Sequence, residues 1–164
     1  FYQDLEEPEK PKLLLEPGTA LVADTMKFVV KVIDIKRIRN KIIATVSGSK
    51  YNIIPTSDIT LPIKVYRNPK DCCHEEYDSI DIVGYTCIEN DYLYKGYKGS
   101  LKMGDYIVFD NVGSYSIVLK PPFILPNCPI IEYNPQENSY EIIKRKEENE
   151  DIFRTFNLKY GEGN

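Results

Sequence analysis

The sequence predicts a mainly β fold, an antiparallel sandwich or open barrel, and three observations carry that expectation. Its 13 Tyr and 6 Phe, together with runs of Val and Ile, are the residues that fit pleated, half-buried strands. Its 11 Pro and 9 Gly fall in short clusters that cut the chain into segments of strand length. Only one stretch, near the C-terminus, has helical spacing, and no internal repeat is present.

The elements follow in order. Phe1 to Lys12 is acidic and interrupted by Pro8 and Pro11, the pattern of a connector. Leu13-Leu14-Leu15 comes next and stops at Glu16-Pro17-Gly18. Three consecutive leucines suit a strand buried on both faces, as in parallel sheets and barrels. It has no evident partner downstream, so the chain is expected to be a piece of something larger. Ala20 to Met26 reads as a short helical turn. Phe28 to Ile35 is a long β-branched run, and the basic stretch Lys36 to Lys41 turns it into Ile42–Val46. Asn40 is placed for the left-handed conformation of that hairpin. Further strands are predicted at Ile63–Tyr66, Tyr77–Tyr85, Tyr106–Phe109, Tyr115–Leu119 and Ile130–Tyr133. Asn68–Asp71, Lys95–Gly99, Asn111–Gly113 and Pro121–Pro122 punctuate them. Glu147 to Phe156 is the helix, with Ile152, Phe153 and Phe156 on one face and acids in the first turn.

Composition bounds the function. The 164 residues amount to one domain by length, and 42% hydrophobic with 28% charged residues is a globular balance. A net charge of −4 argues against a nucleic-acid partner, which needs a cationic excess. No apolar run approaches a membrane span and no leader opens the chain, so no membrane partner is expected. Cys72, Cys73, Cys87 and Cys128 are too few and too irregular for a disulfide framework, and free thiols point to the cytoplasm. His74 beside Cys72 and Cys73 lacks a further ligand at a usual spacing, so no metal is expected. Neither a nucleophile elbow, a P-loop nor a dinucleotide fingerprint occurs.

A set of motifs then stands in a telling order. Glu16-Pro17-Gly18-Thr19 precedes Ala20–Asp24. Thr86-Cys87-Ile88-Glu89-Asn90-Asp91 forms a second box. Gly104-Asp105 leads through Tyr106–Phe109 to Gly113-Ser114-Tyr115, and Phe123 lies beyond it. A basic run, Lys144-Arg145-Lys146, ends in Glu147–Ile152. This order resembles the fold-type-III pyridoxal-phosphate decarboxylases of diaminopimelate, ornithine and arginine. Their corresponding segments read Glu-Pro-Gly-Arg, Cys-Glu/Asp-Ser-x-Asp, Gly-Asp…Gly-Ala-Tyr, Phe/Tyr-Asn and Glu-x-x-Glu-Asp-Leu. The sequence is also similar to a subgroup of that family in siderophore and other secondary-metabolite synthesis.

The resemblance implies a (β/α)8 barrel followed by a C-terminal antiparallel β-sandwich or Greek-key barrel domain. Residues 1–26 would end the truncated barrel, 27–157 would form the β-domain and 158–164 a tail. Glu16 would close the last barrel strand, at the end where barrel enzymes keep their chemistry. It would keep the pyridine nitrogen of pyridoxal 5'-phosphate protonated, making the ring a better electron sink. Gly18 would let the backbone approach the cofactor phosphate, with Thr19 beside it, and the Tyr115 hydroxyl would donate to that phosphate. Cys87 would be the catalytic acid that protonates the substrate after CO2 leaves, reaching into the neighbouring subunit of a homodimer. The lysine that forms the family's Schiff base with the cofactor is absent here, so the chain alone is expected to be inactive.

Three departures bear on the amino-acid substrate. Thr19 stands where the family usually has Arg, removing a fixed cation. Ile88 stands where the family has the acid that holds a distal amino group, leaving Glu89 or Asp91 as candidate substrate ligands. Ile124 replaces the family's Asn. Free diaminopimelate is therefore not expected as substrate. A substrate without a distal cation, or an amino acid conjugated to something larger, fits better. The alternative is a non-catalytic homologue serving as a regulatory or binding β-domain.

Overall fold

The computed structural model describes residues 12–53, 60–67 and 75–157. After a short helix α1 (Thr19–Val22) come β1 (Phe28–Ile38), β2 (Lys41–Val46), β3 (Ile63–Tyr66), β4 (Glu75–Val83), β5 (Tyr92–Leu101) and β6 (Tyr106–Phe109). A second pair, β7 (Ile130–Asn134) and β8 (Ser139–Lys144), and the short helix α2 (Asn149–Phe153) close the described chain.

One sheet of order β3-β6-β1-β2-β4-β5 makes the body, and β7 and β8 form a separate hairpin. β1 is shared by both halves of the sheet. Phe28 to Lys31 pair antiparallel with β6, whereas Val32 and then Asp34 to Ile38 pair with β2, with a register shift between Val32 and Asp34. That shift bends the strand and folds the halves toward each other. Phe28, Val30, Val32, Ile80, Ile82, Leu101, Ile107 and Phe109, drawn from both halves, form one buried core. Burial of each of these large side chains contributes about 1.5–3 kcal/mol relative to exposure. The fold is the expected mainly β domain with a short C-terminal helix. One pairing departs from the antiparallel pattern: β2 and β4 are parallel, because β3 joins the other half of the sheet between them.

Local expectations fared unevenly. Leu13-Leu14-Leu15 is not a strand; all three leucines are largely exposed, without a ladder partner among the described residues. The hairpin residue with positive φ is Arg39 (φ 54), not Asn40. Lys95–Gly99 is no turn but the middle of β5. Gly96 (φ 67) and Gly99 (φ 148) take backbone angles that other residues avoid, and the β4–β5 register slips alongside them. β5 lies at the sheet edge, where such irregularity is tolerated. Tyr115–Leu119 is a helical turn rather than a strand, since the Val118 and Leu119 amides both bond the Tyr115 carbonyl. β8 was not foreseen, and the helix is shorter than Glu147–Phe156. Cys72, Cys73, His74 and the tail 158–164 lie outside the described residues.

Candidate functional site

The first group of site residues is assembled from opposite ends of the domain. Gly18, at the start of α1, lies against Tyr115: a Cβ built on Gly18 would sit 3.3 Å from the Tyr115 hydroxyl. Next to it, Thr19 Oγ1 and Ser114 Oγ share a hydrogen bond of 3.1 Å across 95 positions of sequence. Several bonds fix this apposition. The Gly113 amide donates to the Ala23 carbonyl at 2.9 Å and the Val112 amide to Met26 at 3.3 Å. Ser116, buried one residue beyond Tyr115, donates to the Ile53 carbonyl at 2.7 Å and also bonds the Val112 carbonyl. Tyr115 itself has φ 62, a strained angle for an aromatic residue, and stays 45% exposed with its hydroxyl toward Gly18. Glu16 is exposed, two residues upstream.

Three hydroxyls and a glycine backbone at one point can receive a phosphate monoester. Gly18 leaves room for close approach, and Thr19, Ser114 and Tyr115 supply neutral donors. Pyridoxal 5'-phosphate therefore fits the residues present. Ser114 was not foreseen. Its signal was available, since Thr19 and Ser114 are both departures from the family pattern and they meet each other.

The second group is the loop from Gly84 to Asp91, which follows β4. Cys87 is exposed there, Glu89 is exposed and Ile88 is 36% exposed. With Ile43, Val83, Thr86 and Tyr92 they line a shallow depression of about 240 Å³. Asp91 departs from its expected role as a substrate ligand. It is 3% exposed, and both carboxylate oxygens are already engaged. Oδ1 accepts from Ser49 Oγ and the Lys50 amide, each at 2.9 Å; Oδ2 accepts from Thr86 Oγ1 at 2.6 Å and the Thr86 amide at 3.2 Å. The carboxylate thus binds its own loop to the turn after β2. Gly84 is required beneath it, because any Cβ there would overlap the Asp91 carboxylate. Tyr85 adds a further tie: burial pushes its hydroxyl pKa upward, opposed by a hydrogen bond with Asn52 of the same turn.

The turn Ser49–Ile53 therefore braces both groups, holding Asp91 on one side and Ser116 on the other. No direct hydrogen bond or ion pair joins the two groups among the described residues. Nor do the described residues contain a cluster of three or more side chains able to hold a metal, or a helix long and apolar enough to cross a membrane.

Comparison with known proteins places this architecture. Residues 20–113 match the family model described as pyridoxal-dependent decarboxylase, C-terminal sheet domain. A curated relative, the L-glutamyl-[BtrI acyl-carrier protein] decarboxylase of Niallia circulans, is 24% identical over 94% of this chain and 38% of its own length. Diaminopimelate decarboxylase from Helicobacter pylori, complexed with L-lysine, superposes with a TM-score of 0.72 at 22% identity, over 91% of this chain and 36% of that one. The M. jannaschii diaminopimelate decarboxylase, also in complex with L-lysine, gives 0.73 at 20% identity, over 96% and 35%. The chain thus spans little more than a third of the length of these relatives. By its matched residues and its fold, the chain belongs to the pyridoxal-dependent decarboxylases, as their C-terminal sheet domain.

Proposed function

We propose that this chain supplies two parts of the active site of a pyridoxal-phosphate-dependent decarboxylase. Its substrate is an amino acid whose distal end is tied to a carrier as a neutral thioester. The carrying observation is the convergence of Gly18 and Thr19 with Ser114 and Tyr115, a cradle of hydroxyls suited to the cofactor phosphate. Residues through Met26 would end a barrel domain, and 27–157 would be the sheet domain that closes the site.

When bound, the cofactor supplies an electron sink for the pair left behind as CO2 departs. The chain's own residues do the rest. Tyr115, Thr19 and Ser114 hold the phosphate, and Glu16 holds a proton on the pyridine nitrogen. Cys87 Sγ, exposed on its loop, returns a proton to the substrate α-carbon, in the active site of the second subunit of a homodimer. Ile88 and the depression around it receive the distal part of the substrate.

Ile88 supports the substrate class. An apolar side chain leaves a distal ammonium without a partner, which a buried charge does not tolerate. The α-carboxylate must be free to leave, so a conjugated substrate is attached through its other end. A distal carboxyl held as a thioester carries no charge and suits Ile88. The Niallia circulans relative, named for an L-glutamyl group on an acyl-carrier protein, points the same way.

The test measures CO2 release by the whole enzyme from an L-glutamyl thioester attached at its distal carboxyl, and from ornithine and diaminopimelate. The thioester should be preferred by roughly a hundredfold or more in kcat/KM. Ile88→Asp should raise turnover of the diamino acids and lower that of the thioester. A native kcat/KM for ornithine or diaminopimelate above about 10⁴ M⁻¹s⁻¹ overturns the substrate assignment.

A further inference from the structure

We propose that the tip of the β1–β2 hairpin is the docking surface for an acidic carrier protein that presents the tethered substrate. This inference rests on the thioester reading above and adds the surface that recognises the carrier.

Lys36, Arg37, Arg39 and Lys41 place four cations within six residues of a chain whose net charge is −4. All four are exposed, and among the described residues Arg37, Arg39 and Lys41 form no ion pair, whereas Lys36 pairs with Asp34 at 2.7 Å. Exposed cations at a hairpin tip act at a distance, steering an acidic partner toward the surface and fixing its orientation. Ile38, 52% exposed in their midst, gives the tip an apolar contact as well. Arg39 occupies the left-handed position (φ 54) that glycine or asparagine would fill more easily, so the tip keeps a cation where conformation alone disfavours one.

Register connects this tip to the site. Lys36 stands directly opposite Ile43, and Ile38 opposite Lys41. Side chains alternate between faces along a strand, so Lys36, Ile38, Lys41 and Ile43 share one face. Ile43 is part of the wall of the depression that holds Cys87 and Ile88. The same face carries two carboxylates near Ile43. Asp34 is held by Lys36, and Asp81, opposite Ile43, accepts from the Gly96 amide at 2.8 Å. At the tip Lys36 and Lys41 lie on this face and Arg39 stands in the turn between the strands, whereas Arg37 lies on the opposite face. A carrier seated there would place the arm bearing its thioester across Ile43 into the depression beside Cys87.

The experiment uses the whole enzyme and two substrates with the same L-glutamyl thioester, one on a carrier protein and one on free pantetheine. The variant combines Arg39→Glu and Lys41→Glu; the control is Arg39→Lys. Charge reversal should raise KM for the carrier-linked substrate by roughly tenfold or more, while the pantetheine substrate and the lysine control stay near native values. Equal kinetics of variant and native enzyme on the carrier-linked substrate overturn the proposal. So does an equal loss on both substrates, which would place the hairpin in folding or chemistry. Charge-dependent retention of the chain on RNA, without any effect on the carrier-linked substrate, also overturns it and assigns the tip to phosphates. If the native enzyme uses neither thioester, the substrate reading itself has failed, an outcome distinct from the others, and the docking proposal falls with it.

Discussion

Ser49 Oγ donates to Asp91 Oδ1 at 2.9 Å across 42 positions of sequence, joining the turn after β2 to the loop that carries Cys87. Four residues after Ser49, the Ile53 carbonyl takes the hydroxyl of Ser116, next to Tyr115. A single turn thus sets the position of both candidate groups.

Removing the Asp91 carboxylate should therefore have a local signature. Asp91→Ala strands two backbone amides and two hydroxyls, at a cost of about 1.5–3 kcal/mol in chemical denaturation. Hydrogen exchange should accelerate most at Lys50–Asn52 and Thr86–Asp91, and least in the core of β1 and β6. A uniform rise in exchange across the sheet would show that Asp91 serves global stability and not loop position.

The hydroxyl cradle should matter for the cofactor more than for the fold. Tyr115→Phe in the whole enzyme should weaken pyridoxal-phosphate binding by roughly tenfold, one charge-assisted hydrogen bond, with an unchanged melting temperature. A double-mutant cycle with Thr19→Ala and Ser114→Ala should reveal coupling between those two hydroxyls in cofactor affinity. Strictly additive losses would separate their roles.

Acid should release the C-terminal segment in a defined window. Arg145 grips Asp151 with bonds of 2.6 and 2.7 Å and holds its pKa down at about 2 from 3.8. Because the folded value lies below the ordinary one, this contact is fully present above 3.8 and is lost as pH falls toward about 2. Glu147 shifts the same way: burial raises its pKa, but hydrogen bonds from Lys144 and Asn127 outweigh it. An NMR titration of the carboxyl carbons should place Asp151 well below its usual range, and Arg145→Ala should return it toward 3.8. An unshifted native titration would refute the grip.

Much of the sheet was legible because burial alternates where the sequence alternates. Phe28, Val30 and Val32 are buried while Val29, Lys31 and Ile33 are exposed. β5 was hidden because Gly96 and Gly99, ordinarily turn residues, serve an irregular edge strand. The Tyr115 turn was hidden because its residues are β-formers, held in place from far away in sequence by the Ser116 hydroxyl on the Ile53 carbonyl and, just before the turn, the Gly113 amide on the Ala23 carbonyl. At the site, motif order pointed to Gly18, Thr19 and Tyr115, which the fold brings together. Asp91 was misread because an acid in a polar loop looks free until Ser49 and Thr86 are seen around it.

The account stands most directly on one measurement, subunit complementation. Whole enzyme carrying Cys87→Ala and whole enzyme carrying Tyr115→Phe plus Gly18→Val, each nearly inactive in CO2 release, are mixed under conditions that exchange subunits. In the proposed arrangement Cys87 acts across the interface and Tyr115 and Gly18 act within their own subunit, so each heterodimer would regain one intact site. The mixture should recover about a quarter of native activity. No recovery, with heterodimers demonstrated by native mass spectrometry, would contradict the assignment of Cys87 and Tyr115 to one shared catalytic site.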